Sequence, residues 1–263
     1  PFVALTGPSG SGKTTTAMRL KAYLENLGVE VCLLSMDNFF LPLNKRPPEA
    51  SDWESPLCVN WTLLEDCIDT LSAGKPCQVP WYDFVSGDTG GWREMQVGTG
   101  AIIIVEGIHM LNPIVFDQIR SRATGVYVAP RTRVITGDDK IVRPEQIRVA
   151  RRMIRDYRGR GHALRDTIER AQSVDRGEAQ YIAPNKPNAS IHIDTFHDYE
   201  LCILAKYLRE IPQFTSELDD AFIEARGLGV LMRVVRELPP LQTPYVPRDS
   251  LIREFVGGSC FQY

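Results

Sequence analysis

No stretch of the 263-residue chain approaches the roughly 20 consecutive apolar residues that a membrane-spanning helix requires. The longest comparable run, Ala101–Val105, is the length of a strand. The first residues do not read as a secretory leader, and the chain opens on Pro1 in place of Met, inside an apparent strand, as expected of a sequence that something precedes. Neither sign of charge dominates: 30 Lys and Arg face 33 Asp and Glu, a net charge of −3 with a pI near 5.9. That balance gives no global reason to expect nucleic acid or a membrane surface as partner. Cysteine is sparse, with Cys32, Cys58, Cys67, Cys77, Cys202 and Cys260 forming no CxxC pair and finding no His at zinc spacing. Reduced thiols in a reducing compartment, and so the cytoplasm, are expected over disulfides or metal ligation. Repeats and low-complexity tracts are missing too. What remains, 43% hydrophobic and 24% charged, is an ordinary globular composition.

Apolar spacing divides the chain into alternating strands and helices. Phe2–Thr6 reads as a strand, GPSGSGKTTT as a glycine loop, and Ala17–Leu27 as a helix that Gly28 stops. Val31–Leu34 reads as a second buried strand. Pro42, Pro47, Pro48 and Pro56 predict a long irregular loop over 40–60, a kind that is functional or disordered in compact domains. Thr62–Leu71 reads as a helix, and Gln78–Phe84 and Trp92–Val97 as extended segments around a Gly87–Gly91 turn. Ala101–Val105 and Val126–Ala129 are buried-strand patterns. Pro144 opens an Arg-rich helix ending near Gly159–Gly161, followed by a strand at Ile191–Ile193 and a helix over His197–Glu210. This alternation predicts the α/β class: a parallel sheet of the P-loop NTPase type, covered by helices on both faces. Beyond Pro212 the pattern is helical only, Glu217–Leu238 broken at Gly227 and Gly229, and then a proline-rich connector and a tail at Ser250–Ser259. The expected division is a P-loop domain over 1–211 and a helical extension and tail over 212–263 packed on it.

Gly7-Pro8-Ser9-Gly10-Ser11-Gly12-Lys13-Thr14 matches G-x-x-x-x-G-K-[ST] outright. In such a loop, amides freed by the glycines wrap phosphates, Lys13 adds a point charge, and the Thr14 hydroxyl can ligate magnesium. The helix starting at Lys13 aims its positive end at the same anion. The alternative is an accidental Gly/Ser turn, against which stands the strand before and the helix after. Such a loop predicts nucleotide binding, not a particular reaction. Open parallel sheets collect ligands outside the carboxyl ends of their strands, and two acids fall there: Asp37 after the second strand and Glu106 at the end of Ile102–Val105. Phosphoryl transfer needs one carboxylate to take the acceptor's proton and another acidic group near the magnesium shell; Asp37 and Glu106 suit these tasks in that order. The competing readings are a turn carboxylate for Asp37 and an exposed loop acid for Glu106.

Between Arg143 and Arg176 stand ten Arg, no Lys and five acids. Arg148, Arg152 and Arg155 share a helical face, and guanidinium forks match phosphate oxygens. A lid over about 151–176 that closes on a nucleotide is the functional reading. A salt-bridged surface helix and a nucleic-acid patch are the alternatives, the latter with little aromatic support. Tyr82, Phe84, Trp81 and Trp92 could stack on a planar ligand or simply be core.

These motifs, in this order, resemble the phosphoribulokinase and uridine kinase family, and within it the bacterial uridine kinase-like nucleoside kinases: Gly7–Thr15, Ser35–Phe40, Val79–Phe84, Val105–Ile108, Arg151–Asp156, Arg158–His162, Arg176–Glu178, Ile182–Pro184 and Ser250–Ser259. That branch often carries further N-terminal domains that residues 1–263 do not include. The resemblance implies an ATP- and Mg2+-dependent kinase that phosphorylates the 5′-hydroxyl of a nucleoside. It implies ATP contacts at Pro8, Ser9, Gly10, Ser11, Gly12, Lys13, Thr14, Thr15, Arg155 and Arg160, with Asp37, Lys13 and Arg155 catalytic. On the acceptor side it implies Asp37, Phe39, Glu54 (on the ribose hydroxyls), Tyr82 and Phe84 (at the base), Arg152 and His162, with Thr14, Glu106 and Asp37 around the metal. Three positions depart from uridine kinases: Gly87 replaces a base-reading His, His162 a lid Arg, and Arg170 a base-region Gln. Loss of a base-reading donor removes the contact type that rejects wrong bases most strongly, so uridine specificity does not carry over. A kinase of another small hydroxylated acceptor and a catalytically silent ATP-binding regulator stay open as alternatives. The partners expected are the small acceptor and ATP, without nucleic acid or membrane, and with homo-oligomerisation open.

Overall fold

The computed structural model describes residues 1–50, 53–216 and 218–263. From the N-terminus, β1 (Phe2–Thr6) leads to α1 (Lys13–Asn26), β2 (Val31–Ser35), α2 (Trp61–Ser72), β3 (Cys77–Asp83), β4 (Asp88–Met95), β5 (Ile102–Glu106), α3 (Pro113–Ile119) and β6 (Ala123–Ala129). Two-residue strands β7 (Val134–Ile135) and β8 (Ile141–Val142) precede α4 (Pro144–Arg160), α5 (Leu164–Gly177), β9 (Ile191–Asp194) and α6 (Glu200–Arg209). The short helices α7 (Gln213–Ser216), α8 (Asp220–Ala225), α9 (Gly229–Glu237) and α10 (Arg253–Val256) follow.

Five strands form the central sheet in the order β2-β5-β1-β6-β9, and the pairs β2–β5, β5–β1 and β1–β6 are parallel. Helices flank it, as the alternation of the sequence predicts. Ile103, Ile104 and Val105 are buried almost completely, the continuous apolar reading of a strand covered on both faces. Parallel strands put all carboxyl ends on one edge. Glu106 is in register with Ser35 on β2 and with Leu5 on β1, so three strand ends meet at that edge.

The polypeptide forms two compact units. The first holds residues 1–8, 16–127 and 176–192; the second holds 9–15, 128–175 and 193–263. In the first, α2 is started by Asn60, whose side chain accepts from the Leu63 amide, and it buries Leu64, Cys67, Ile68 and Leu71 at helical spacing. β3 and β4 form an antiparallel hairpin. Gly90 and Gly91, expected in its turn, lie in β4 instead. The Trp81 indole covers them so closely that a Cβ on Gly90 would sit 2.2 Å from the ring. In the second unit, Pro144 starts α4 and Gly161, at φ +66°, ends it. Ile147, Ala150, Met153 and Ile154 of α4 pack with Leu201, Leu204, Leu231, Val235, Ile252 and Phe255 into one core. The expected start of a helix at His197 is a turn, the Glu200 amide donating to the His197 carbonyl. The helical run expected from Glu217, a residue outside those described, divides at Gly227 into α8 and α9. All six cysteines are free thiols.

Two glycines separate packing from propensity. A Cβ on Gly125 would lie 2.6 Å from the Asn188 carbonyl oxygen and 2.9 Å from Leu111, whereas one on Gly159, near the end of α4, meets nothing within 4 Å. Gly125→Ala should destabilise by about 1–3 kcal/mol through overpacking, and Gly159→Ala should stabilise by about 0.5 kcal/mol through helix propensity. Urea unfolding of the two variants checks the opposite signs.

Candidate active site

Of the acceptor-side residues expected from the sequence, Asp37, Phe39, Glu54, Tyr82 and Phe84 lie in the first unit, whereas Arg152 and His162 lie in the second. β2 ends in a single 3-10 turn, Met36–Phe39, that carries Asp37. The turn is held close to the end of β5, because a Cβ on Gly107 would strike Met36 at 2.4 Å. Glu106 is 5% exposed and accepts a 2.7 Å hydrogen bond from Ser35 Oγ; it is a buried acid at the sheet edge, not an exposed loop acid. Thr6 Oγ1 donates to the Gly107 carbonyl at 2.6 Å and accepts from the Met110 amide at 3.1 Å. The ends of β1, β2 and β5 are thus tied together by side chains as well as by register.

Downstream of Asp37 the chain turns into an aromatic cluster. The Phe39 side chain is buried, and its carbonyl accepts from Asn60 N. Phe40, Trp53, Tyr82 and Phe84 surround one another, with Tyr82 and Phe84 ring centres 5.0 Å apart and edge-on and those of Trp53 and Phe84 6.1 Å apart. Tyr82 is buried while Phe84 is 49% exposed, so the first belongs to core and cluster alike and the second presents a face to solvent. Arg46 lies over the Trp53 ring at 3.8 Å and donates to Tyr82 Oη at 3.1 Å. Burial pushes the Tyr82 phenol pKa up, against the pull of Arg46. Glu54, beside Trp53, is half-buried. Gly87 has φ +70°, and a Cβ there would meet Leu43 Cδ1 at 2.3 Å. The exposed end of the Leu43 side chain occupies that space here.

Ser9–Thr15, Arg155 and Arg160 lie in the second unit and Pro8 in the first, and in the second unit most of the contacts to the loop carbonyls come from Arg151, which sequence reading did not single out from the arginine run. Arg151, in the middle of α4, is fully buried. Its Nη1 donates to the carbonyls of Gly10 at 3.1 Å and Ser11 at 3.3 Å. Nη2 donates to the Thr195 carbonyl and to Glu200 Oε2, both at 2.8 Å, and Nε to Glu200 Oε1. Thr195 Oγ1 donates to the Ser11 carbonyl at 2.8 Å. One turn earlier, Arg148 Nη1 donates to the Ser9 carbonyl at 3.2 Å. Three successive loop carbonyls are thereby drawn to α4, while the first-turn amides of α1, which have no intrahelical acceptor, point at the helix N-terminus. Gly10 and Gly12 adopt φ of +75° and +86°, conformations open to glycine. An anion cup is the chemical result.

The other arginine-segment residues take different places in this unit. Arg152 is buried. Arg155 is half-buried, its Nη2 2.8 Å from Asp156 Oδ1, and the exposed Arg160 lies 3.7 Å from the same carboxylate. His162 Nδ1 and Arg170 Nη1 are 3.4 Å apart, so two of the positions that depart from uridine kinases are neighbours. A cavity of about 310 Å3 borders Arg143, Gln146, Val149, Asp175 and Arg226; none of the candidate ATP, acceptor or metal residues lines it. The signal for Arg151 was present only as one member of an Arg run, because period-based reading selects the Arg148/Arg152/Arg155 face and has no means of recognising a cation buried by tertiary structure.

A profile of the Phosphoribulokinase / Uridine kinase family matches residues 2–201. Uridine kinase from Deinococcus deserti is 29% identical over 203 residues, covering 73% of this chain and 87% of that protein. Uridine kinase from Borrelia turicatae is 28% identical over 220 residues, covering 82% and 97%. Among solved structures, a candidate fructose transport system kinase from Silicibacter sp. TM1040 superposes with a TM-score of 0.56 at 20% identity, over 73% of this chain and 88% of that one, a likeness of fold.

The Arg151–Glu200 pair has both side chains at 0% exposure. Removing one partner of such a pair strands the other charge, at a cost of about 3–5 kcal/mol, whereas replacing both by apolar groups is often near neutral. Arg151→Met should therefore lose about 3–5 kcal/mol in urea unfolding, and Arg151→Met combined with Glu200→Leu should recover at least half of it. A single variant as stable as the parent would remove this pair from its structural role.

Proposed function

This chain belongs to the phosphoribulokinase/uridine kinase family, and from that premise we propose that it is an ATP-dependent kinase that phosphorylates the 5′-hydroxyl of a nucleoside. The observation that carries the reading is Asp37 on the turn that follows β2, whose last residue, Ser35, is in register with Glu106 at the carboxyl end of the adjacent parallel strand β5. A carboxylate outside the strand ends is where an open α/β sheet presents groups to ligands.

In this reading Ser9–Thr15 cup the phosphates, with Pro8 leading in, and Lys13 supplies a cation to the transferring group. Arg155 and Arg160 neutralise charge from the α4 side, as a lid over 151–176 would. Mg2+ is usually held by one or two carboxylates plus phosphate and water. The family resemblance assigns Glu106, Asp37 and the Thr14 hydroxyl as a hard-oxygen set of that kind, and the ion would offset phosphate charge. Asp37 takes the proton from the acceptor oxygen. Glu54 accepts from the sugar hydroxyls, and Phe84 and Tyr82 flank the base, with Phe39, Arg152 and His162 completing the acceptor contacts. The thiols, four of six buried and all reduced, suit a cytoplasmic enzyme.

The Gly87–Leu43 contact and the Arg46 guanidinium over Trp53 favour a second reading, a different planar or anionic hydroxylated acceptor. An ADP-release assay with ribo- and deoxyribonucleosides, sugar phosphates and hydroxy acids decides between them. Turnover with a nucleoside supports the first reading; activity on a non-nucleoside alone supports the second. With the active acceptor in hand, Asp37→Asn should keep ATP affinity and lower kcat by about 10²-fold or more, the scale of general-base loss. Near-parental kcat would remove Asp37 from the role.

A further inference from the structure

Residues 202–263 lie beyond the family match, yet part of this segment is built directly onto the phosphate loop. Thr15 is fully buried. Its Oγ1 donates to Glu254 Oε2 at 2.6 Å, and its backbone amide donates to the same oxygen at 3.4 Å. The hydroxyl proton being committed to Glu254, the 2.9 Å contact with Tyr263 Oη is one in which the tyrosine donates. Leu251, one turn before Glu254, closes on Gly12: a Cβ there would lie 2.1 Å from Leu251 Cδ1.

This is an ordered element. Leu251, Ile252, Phe255 and Val256 are buried. Arg253 Nη2 donates to the carbonyls of Thr243 at 2.8 Å and Val246 at 2.6 Å. Ser250 Oγ lies 2.8 Å from Tyr199 Oη, and Phe255 lies beneath the Arg151 guanidinium at 5.4 Å. The strap and the loop thus share the same buried arginine.

We propose that residues 250–263 form a strap across the donor loop, in which the Glu254 carboxylate holds a position on Thr15 that a donor phosphate group must take over. The inference rests on the reading that Ser9–Thr15 bind ATP. Thr15 is the third residue of α1, so its N–H is one of the four first-turn donors without an intrahelical acceptor, and these point toward the anion site. A carboxylate that accepts this amide is an intramolecular anion at a helix N-terminus. A phosphate approaching the same amide meets a like charge and must displace it. Because linkage is reciprocal, ATP weakens the strap to the degree that the strap weakens ATP.

Glu254→Gln keeps an oxygen acceptor for Thr15 and removes the charge. Calorimetric titration with ATP, without acceptor, should show about 3- to 10-fold tighter binding to this variant than to the parent, the scale of one charge at a helix N-terminus. Hydrogen exchange in residues 250–263 of the parent chain should accelerate when ATP saturates it. Equal or weaker ATP binding by a folded Glu254→Gln, or slower exchange in 250–263 on ATP addition, overturns the strap and makes the segment a fixed wall of the site. Should the variant not fold, the exchange measurement on the parent decides alone. Absence of ATP binding to the parent overturns the donor-loop reading, and the strap with it.

Discussion

One buried cation organises the glycine-rich loop of this protein. Arg151 is removed from water completely, and a guanidinium in that position must have its donors satisfied. Glu200 neutralises the charge, while the carbonyls of Gly10, Ser11 and Thr195 accept further hydrogen bonds. The consequence for the phosphate loop is directional. Glycine-rich backbone is free to turn its peptide planes either way, and fixing the carbonyls to α4 commits the loop to one face. In the proposed reading this preorganises a cup for anions before any ligand arrives, which is how such sites stabilise charge without reorganising during reaction.

The acceptor side is built by different means. Strand register, the Ser35–Glu106 hydrogen bond and the Thr6 hydroxyl bring Asp37 and Glu106 to one edge, so two acids separated by 69 positions in the chain share a neighbourhood through the sheet. In the proposed reading the aromatic cluster beyond them takes a planar group, and it departs at Gly87 from the base-reading histidine of uridine kinases. Leu43 closes the space over Gly87, and Arg46 adds a cation that the family motifs do not announce. Base choice would then rest on stacking and on Arg46 more than on a histidine donor.

Much of this was legible in the sequence because it is local. The P-loop is contiguous, β5 is an unbroken apolar run, and α4 begins at a proline and ends at a glycine; each signal needs only a short window. Glu106 at a strand end and Asp37 just past one follow from the general rule for open sheets. What local reading did not reveal was decided by tertiary contacts. The hairpin glycines 90 and 91 resemble turn residues until Trp81 is placed over them. Arg151 looks like any other member of an arginine-rich helix until its burial is known. Tail residues Leu251, Glu254 and Tyr263 have no periodic or compositional signal linking them to Gly12 and Thr15, more than 200 positions earlier.

The central claim is geometric: a phosphate cup and a carboxylate serve one transferred group. A crystal structure with a non-hydrolysable ATP analogue and the accepted nucleoside measures it directly. The account requires the triphosphate on the amides of Ser9–Thr15 and the Asp37 carboxylate within about 3 Å of the acceptor oxygen, hydrogen-bonding range for a general base. An analogue bound elsewhere, or an acceptor oxygen facing some other group, would contradict it.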